Sequence, residues 1–256
     1  MLEILDFRFL GGYIVFLDGD DVLCQNALSR LVELVGNNVC PDIIVGNIVH
    51  WDGNNEKILV DNAKYMPGQK NRTIFETNEL YAKDGVQLPW RAYQSVYKKE
   101  FLDKYGLQFD ENLIGAEDCD FYLKVIEKSG SYILSDIPFV KYRFCRDGSI
   151  INTPSYKSII GQLTTFAKAF EKAEMFDNCE LMRCYFANRY TNIIVLVNML
   201  QDKSDRKQCY QFIEDHKDIL KLTSKDTKYV FAKMMWRILG FSMGSDILIK
   251  INRVRK

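Results

Sequence analysis

Histidine is nearly missing: the 256 residues hold two, His50 and His216. That excludes a His-rich metal centre. Any metal would be held mainly by carboxylates, which favours a hard ion such as Mg²⁺ or Mn²⁺ over Zn²⁺. Five prolines and fifteen glycines exclude a collagenous or low-complexity body. The seven cysteines are scattered and form no C-x-x-C pair. They read as reduced thiols of a cytoplasmic protein rather than a disulfide framework. No stretch approaches the ~20 apolar residues of a membrane span, and Met1 to Asp6 lack the cationic start of a signal peptide. Charge of one sign is missing too. Thirty-four basic and 34 acidic residues cancel, which argues against a nucleic-acid partner, since that needs a basic face.

What remains is apolar and patterned. The chain is 47% hydrophobic and 13% aromatic, enough for a substantial core in one or two domains. Tyr13 to Leu17 form a short, continuous apolar run, preceded by Gly11-Gly12 and followed by Asp18-Gly19-Asp20-Asp21. Such a run reads as a strand buried on both faces, as in a parallel sheet. Asn26 can cap a helix carrying Leu28, Leu31, Val32 and Val35, stopped at Gly36. Ile43 to Val45 begin a second buried strand, and Ile58 to Val60 return beside it after the Asp52-Gly53 turn. Residues 61–88 read as a polar, irregular excursion. Ala92 to Tyr97 read as a strand, Lys99 to Tyr105 as a helix closed by Gly106, and residues from Glu117 as a helix ending at Gly130. Tyr132 to Leu134 and Phe139-Val140 read as two short strands. Beyond Pro154 the character changes to four helices, near 156–174, 179–200, 205–220 and 225–240. The expected domains are therefore 1–153 and 154–256.

Two acid clusters stand out. Asp18, Asp20 and Asp21 follow a buried strand, where ligands bind in open parallel sheets. Three carboxylates so close repel one another unless something neutralises them. A divalent cation shared with a diphosphate does so; a solvated turn is the plainer reading. Glu117-Asp118 opens a helix. Dipole compensation explains it simply, and a general base beside a substrate hydroxyl explains it functionally.

The run Gly12 to Asp21 resembles the D-x-D segment of family 2 glycosyltransferases of the GT-A fold. Leu88-Pro89-Trp90, Val96 to Leu102, Gly106 to Glu111 with Gly115 to Asp118, and Tyr142-Arg143 through Arg146 to Ile150 follow that family's order. The resemblance spans residues 12–150. It implies an incomplete, Rossmann-like α/β domain with a mostly parallel sheet, followed by a C-terminal helical region. The implied activity is inverting transfer of a sugar from a nucleotide-diphosphate sugar donor to a glycan or lipid-linked acceptor, in surface polysaccharide synthesis. By position, Asp18 and Asp20 would hold Mg²⁺ or Mn²⁺, with Asp18 also near the ribose. Asp118 would be the base and Glu117 would orient the acceptor. Arg146 and Ser149 would close over the diphosphate. Trp90 would stack on an acceptor sugar or simply pack in the core. Cys145-Arg146 stands where some members carry a histidine ligand.

The acids arrive early. At ~30 residues per βαβ unit, roughly 60 residues of the family's domain are expected upstream of Tyr13. Transfer by these 256 residues alone is therefore expected to be weak or absent. The competing expectation is a non-catalytic interaction module derived from a glycosyltransferase. Residues 228–256 carry seven basic side chains against Asp246, a net +6, which leaves −6 for residues 1–227. With Tyr229, Phe231, Trp236 and Phe241 among them, they suggest a peripheral contact at the inner membrane face. A helix packed on the domain, with a solvated tail, is the plainer alternative.

Overall fold

The computed structural model describes residues 2–7, 12–36, 40–52, 54–143 and 154–254. They form two compact units: 2–109 with 118–143, and 110–117 with 154–254.

The first unit is built on a seven-stranded sheet. In chain order its strands are β1 (Leu2–Phe7), β2 (Tyr13–Asp18), β3 (Val22–Leu23), β4 (Ile43–Trp51), β5 (Glu56–Val60), β6 (Ser95–Lys98) and β7 (Tyr132–Arg143). Their order across the sheet is β1-β2-β6-β4-β7-β3, with β5 beside β4. β6 pairs with residues 43–45 of β4 and β5 with residues 48–51, so the two share one edge of that strand. β4 and β7 run parallel; every other pair is antiparallel. The α/β class with trailing helices is as expected, but the sheet is mixed rather than mostly parallel. The physical reason is plain. A continuous apolar run reports burial on both faces, not strand direction, and Tyr13, Val15 and Phe16 are buried between two antiparallel neighbours.

Helices α1 (Ala27–Gly36), α2 (Ile74–Lys83), α3 (Lys99–Tyr105) and α4 (Glu117–Lys128) accompany the sheet. α2 lies in the stretch expected to be irregular. Its signal is Thr73-x-x-Glu76, which forms a reciprocal capping box. A 3₁₀ turn before it places Asn62, fully buried, as a polar hub. Its N–H donates to Asn47 Oδ1 at 2.8 Å, its amide to the Ser135 carbonyl at 2.9 Å, and Tyr81 donates to its Oδ1. α3 ends at Gly106 in the left-handed region, as the sequence indicates. Gly130 is not such a cap; its N–H instead donates to Asp42. One strand, β7, replaces the two expected short ones. At its crossing with β4, Gly46 is required: a Cβ there would lie 2.6 Å from the Ile137 carbonyl and the Phe139 ring. Phe16, Tyr97, Phe109 and Phe121 form an aromatic cluster, with Phe109 and Phe121 stacked at 4.2 Å.

The second unit contains α5 (Tyr156–Glu171), α6 (Cys179–Ile194), α7 (Lys203–Asp215) and α8 (Thr227–Val254). Ser155, Asn178 and Asp202 cap the first three. α8 breaks at Gly240, which has a φ of 73°. The chain folds back there, so that a Cβ on Gly244 would lie 2.8 Å from Trp236. Trp236 donates to Ser245 Oγ at 3.0 Å. The loop 110–117 belongs to this unit: Gly115 lies against Ser158, and Gly161 against Leu113 and Ile114. Among the described residues no helix is long and apolar enough to cross a membrane.

Candidate functional site

β2 delivers the chain from the sheet into a tight turn. The Asp21 N–H donates to the Asp18 carbonyl at 3.0 Å, and β3 then pairs with β7 at Val140 and Lys141. Gly19 does not use the left-handed region in this turn. Asp18 and Asp20 are half-buried and Asp21 is buried at 8% exposure. The Asp21 Oδ1 accepts the Arg143 N–H at 2.9 Å. Its Oδ2 is buried with no hydrogen-bond partner among the described residues. Burial pushes the Asp21 carboxyl up to about 7, opposed by the Arg143 N–H and reinforced by Asp18 and Asp20.

The other end of the site is the 3₁₀ turn 92–94 ahead of β6. The Ala92 N–H donates to Asp118 Oδ2 at 3.3 Å, which ties α4 to this turn. Between the two clusters stands Tyr93, stacked on Tyr142 at 5.0 Å and 9°. Burial raises the Tyr93 hydroxyl far above its ordinary value. Arg91 opposes this, while Tyr142, Asp21 and Asp118 add to it. Burial likewise raises Tyr142, followed by Asp21, with Arg91 opposing and Asp18 and Asp20 adding. The structure therefore brings Asp18, Asp20, Asp21 and Asp118 around one aromatic pair, with Arg91 as the nearby cation.

The remaining expected residues fall differently. Glu117 opens α4, and its Oε2 is buried with no hydrogen-bond partner among the described residues. Trp90 is only 8% exposed, so core packing takes most of its surface and no broad face is open to a ligand. Arg146 and Ser149 lie outside the described residues. Asp120, two residues beyond Asp118, is instead paired with Lys124 at 2.5 Å along the same helix. Tyr93 and Arg91 were not singled out from the sequence, and Tyr142 stood there only as the head of the Tyr142-Arg143 motif, with no role of its own. Their only signal was adjacency: Arg91 follows Trp90, and Tyr142 precedes Arg143.

Among the described residues no group of three His, Cys, Asp or Glu side chains is gathered in a metal-ligating arrangement. The acid turn is still compatible with a hard cation. Mg²⁺ commonly takes one or two carboxylates and completes its shell with substrate phosphates and water. The buried Asp21 oxygen without a partner among the described residues, beside two further carboxylates, is a negative potential that such a cation would relieve.

No family model matches the chain. A protein described as uncharacterized glycosyltransferase EpsJ, from Bacillus subtilis (strain 168), is 28% identical over 138 residues. That match covers 52% of this chain and 38% of the relative. The crystal structure of S. aureus TarS 1–349 in complex with UDP-GlcNAc superposes with a TM-score of 0.64 at 14% identity, covering 95% of this chain and 68% of that one. The same protein in complex with UDP gives 0.61 at 12% identity, covering 96% and 68%.

The chain is glycosyltransferase-like.

The superpositions establish the shared fold across both units, and the sequence match relates half the chain to a protein named for this activity. This glycosyltransferase-like chain spans a little over a third of that curated relative's length. Its own acids at 18–21 and at 118 lie in the unit that carries the sheet.

Proposed function

We propose that this region catalyses inverting transfer of a sugar from a nucleotide-diphosphate sugar to an acceptor hydroxyl, in glycan or polysaccharide assembly. The observation that carries the reading is the convergence of Asp118 and the acid turn on Tyr93. Four carboxylates near one largely buried aromatic pair are costly for a fold and useful for a site.

In this reading Asp118 takes the proton of the acceptor hydroxyl. That oxygen attacks the anomeric carbon, and the bond from that carbon to the diphosphate oxygen breaks on the opposite face. The single displacement inverts the configuration. The Ala92 N–H on Oδ2 fixes how the carboxylate is presented. Asp18 and Asp20 would hold Mg²⁺ or Mn²⁺, which when bound neutralises the diphosphate as it leaves. Asp21 anchors the turn to β7 through Arg143. Arg91 supplies positive charge beside the acids. Glu117 would orient the acceptor, Trp90 would meet it with its small exposed surface, and Arg146 and Ser149 would cover the diphosphate. UDP-GlcNAc and UDP are bound by S. aureus TarS; they are accordingly the first donor and product to try.

The test is slow hydrolysis of UDP-GlcNAc by the purified chain with Mn²⁺, water standing in for the acceptor. Asp118→Asn is expected to lower that rate by about 10²–10⁴-fold with donor affinity retained. Unchanged turnover in that variant would remove Asp118 as the base.

A further inference from the structure

We propose that the corner formed by α7 and α8 in the helical unit docks on an anionic lipid bilayer. Two observations meet there. The first is a cleft of about 650 Å³ lined by Lys203, Arg206 and Lys207 of α7, with Tyr210 and Phe241. The cations follow i, i+3, i+4 spacing, so they share one face of the helix. Glu214 is the acid on the wall and is already paired with Lys217 at 2.6 Å. The cleft is thus an open, basic depression of the surface, wide enough to admit a phosphate headgroup.

The second observation is an inverted helix face. In the first half of α8 the inner face is filled by Tyr229, Ala232 and Trp236, all buried. The opposite face carries Val230, Met234 and Ile238 on successive turns, 50%, 47% and 69% exposed. Lys233 and Arg237 flank this stripe. The aromatics that suggested membrane contact from sequence are therefore partly the wrong ones, since Tyr229 and Trp236 serve the core. In sequence the stripe is followed directly by Leu239, Gly240 and Phe241, which line the basic cleft.

Charge decides the occupant. The described part of α8 carries Lys228, Lys233, Arg237 and Lys250 against Asp246, and the cleft adds Lys203, Arg206 and Lys207. A second copy on a two-fold axis would set these cations against themselves. A free phosphorylated glycan would use the cleft but leave the stripe in water. An anionic bilayer satisfies both, with phosphates in the cleft and the stripe at the headgroup–acyl boundary. This inference stands on surface residues alone and is independent of the transfer reaction.

The experiment is co-sedimentation of the full chain with vesicles of equal parts phosphatidylglycerol and phosphatidylcholine, and with phosphatidylcholine alone. Binding is expected on the mixed vesicles only. K203E/R206E/K207E should weaken it at least about tenfold, and V230S/M234S/I238S several-fold, with far-UV circular dichroism of both variants unchanged. Equal partitioning to both vesicles, or wild-type binding by both variants, would overturn the proposal. So would complete competition by inorganic phosphate with the serine variant unaffected, which would mark a phosphate site instead. Self-association lost in the serine variant without vesicle binding would mark a copy interface and overturn it equally.

Discussion

Replacing Asp21 by asparagine should stabilise the protein at neutral to alkaline pH. Asp21 Oδ1 accepts the Arg143 N–H, while Oδ2 is buried with no hydrogen-bond partner among the described residues. Asparagine keeps the acceptor and removes the charge. Raising a carboxyl from 3.8 to about 7 sets an upper bound of about 4 kcal/mol. Water reaching the half-buried turn beside it screens part of this, which leaves about 2 kcal/mol. The sign follows from proton binding. Between 3.8 and 7 the native state holds a proton that the unfolded chain has released, so wild-type stability falls as pH rises through that window and is level above it. The asparagine variant carries no such dependence. Urea denaturation in EDTA should therefore find Asp21→Asn more stable by about 2 kcal/mol at pH 8, with the advantage shrinking below about 1 kcal/mol at pH 4. A variant equal to or weaker than wild type at pH 8, or a difference that ignores pH, would refute the reasoning.

Three core positions give further predictions, each read from the midpoint of urea denaturation. Gly46→Ala forces a methyl against the Ile137 carbonyl and Phe139 ring at 2.6 Å and should cost about 1–3 kcal/mol; a neutral change would mean the β4–β7 crossing is looser than described. Asn62→Ala strips partners from Asn47, the Ser135 carbonyl and Tyr81 and should cost about 1–3 kcal/mol or more, whereas no loss would show that the hub is dispensable. Phe121→Ala opens the aromatic cluster around Phe16, Tyr97 and Phe109 and should cost about 3–5 kcal/mol; a loss below about 1 kcal/mol would place that cluster outside the core.

The legible parts of the sequence were those with local chemistry. Apolar runs marked β2 and β4, Gly106 marked the end of α3, and helical spacing marked the four C-terminal helices. The acid run after β2 and the acid at the start of α4 marked both ends of the site. Strand direction was not legible, because β2 is flanked by antiparallel neighbours that make the same burial demand as parallel ones. α2 was hidden in a polar stretch, although Thr73 and Glu76 had written its cap. Tyr93 and Tyr142 were hidden for another reason. They meet only when the turn at 92–94 and the end of β7 come together, and no periodicity encodes that contact. The exposed face of α8 was misread in detail because composition counts aromatics without saying which way the helix turns them.

The central claim is that the acid turn and Asp118 serve one donor site with separate duties. Calorimetric titration of the chain with UDP, with and without Mn²⁺, tests it most directly. The account predicts saturable binding that needs the cation, is lost in Asp20→Asn and is kept in Asp118→Asn. Binding that ignores Mn²⁺, or survives Asp20→Asn unchanged in the folded protein, would contradict it.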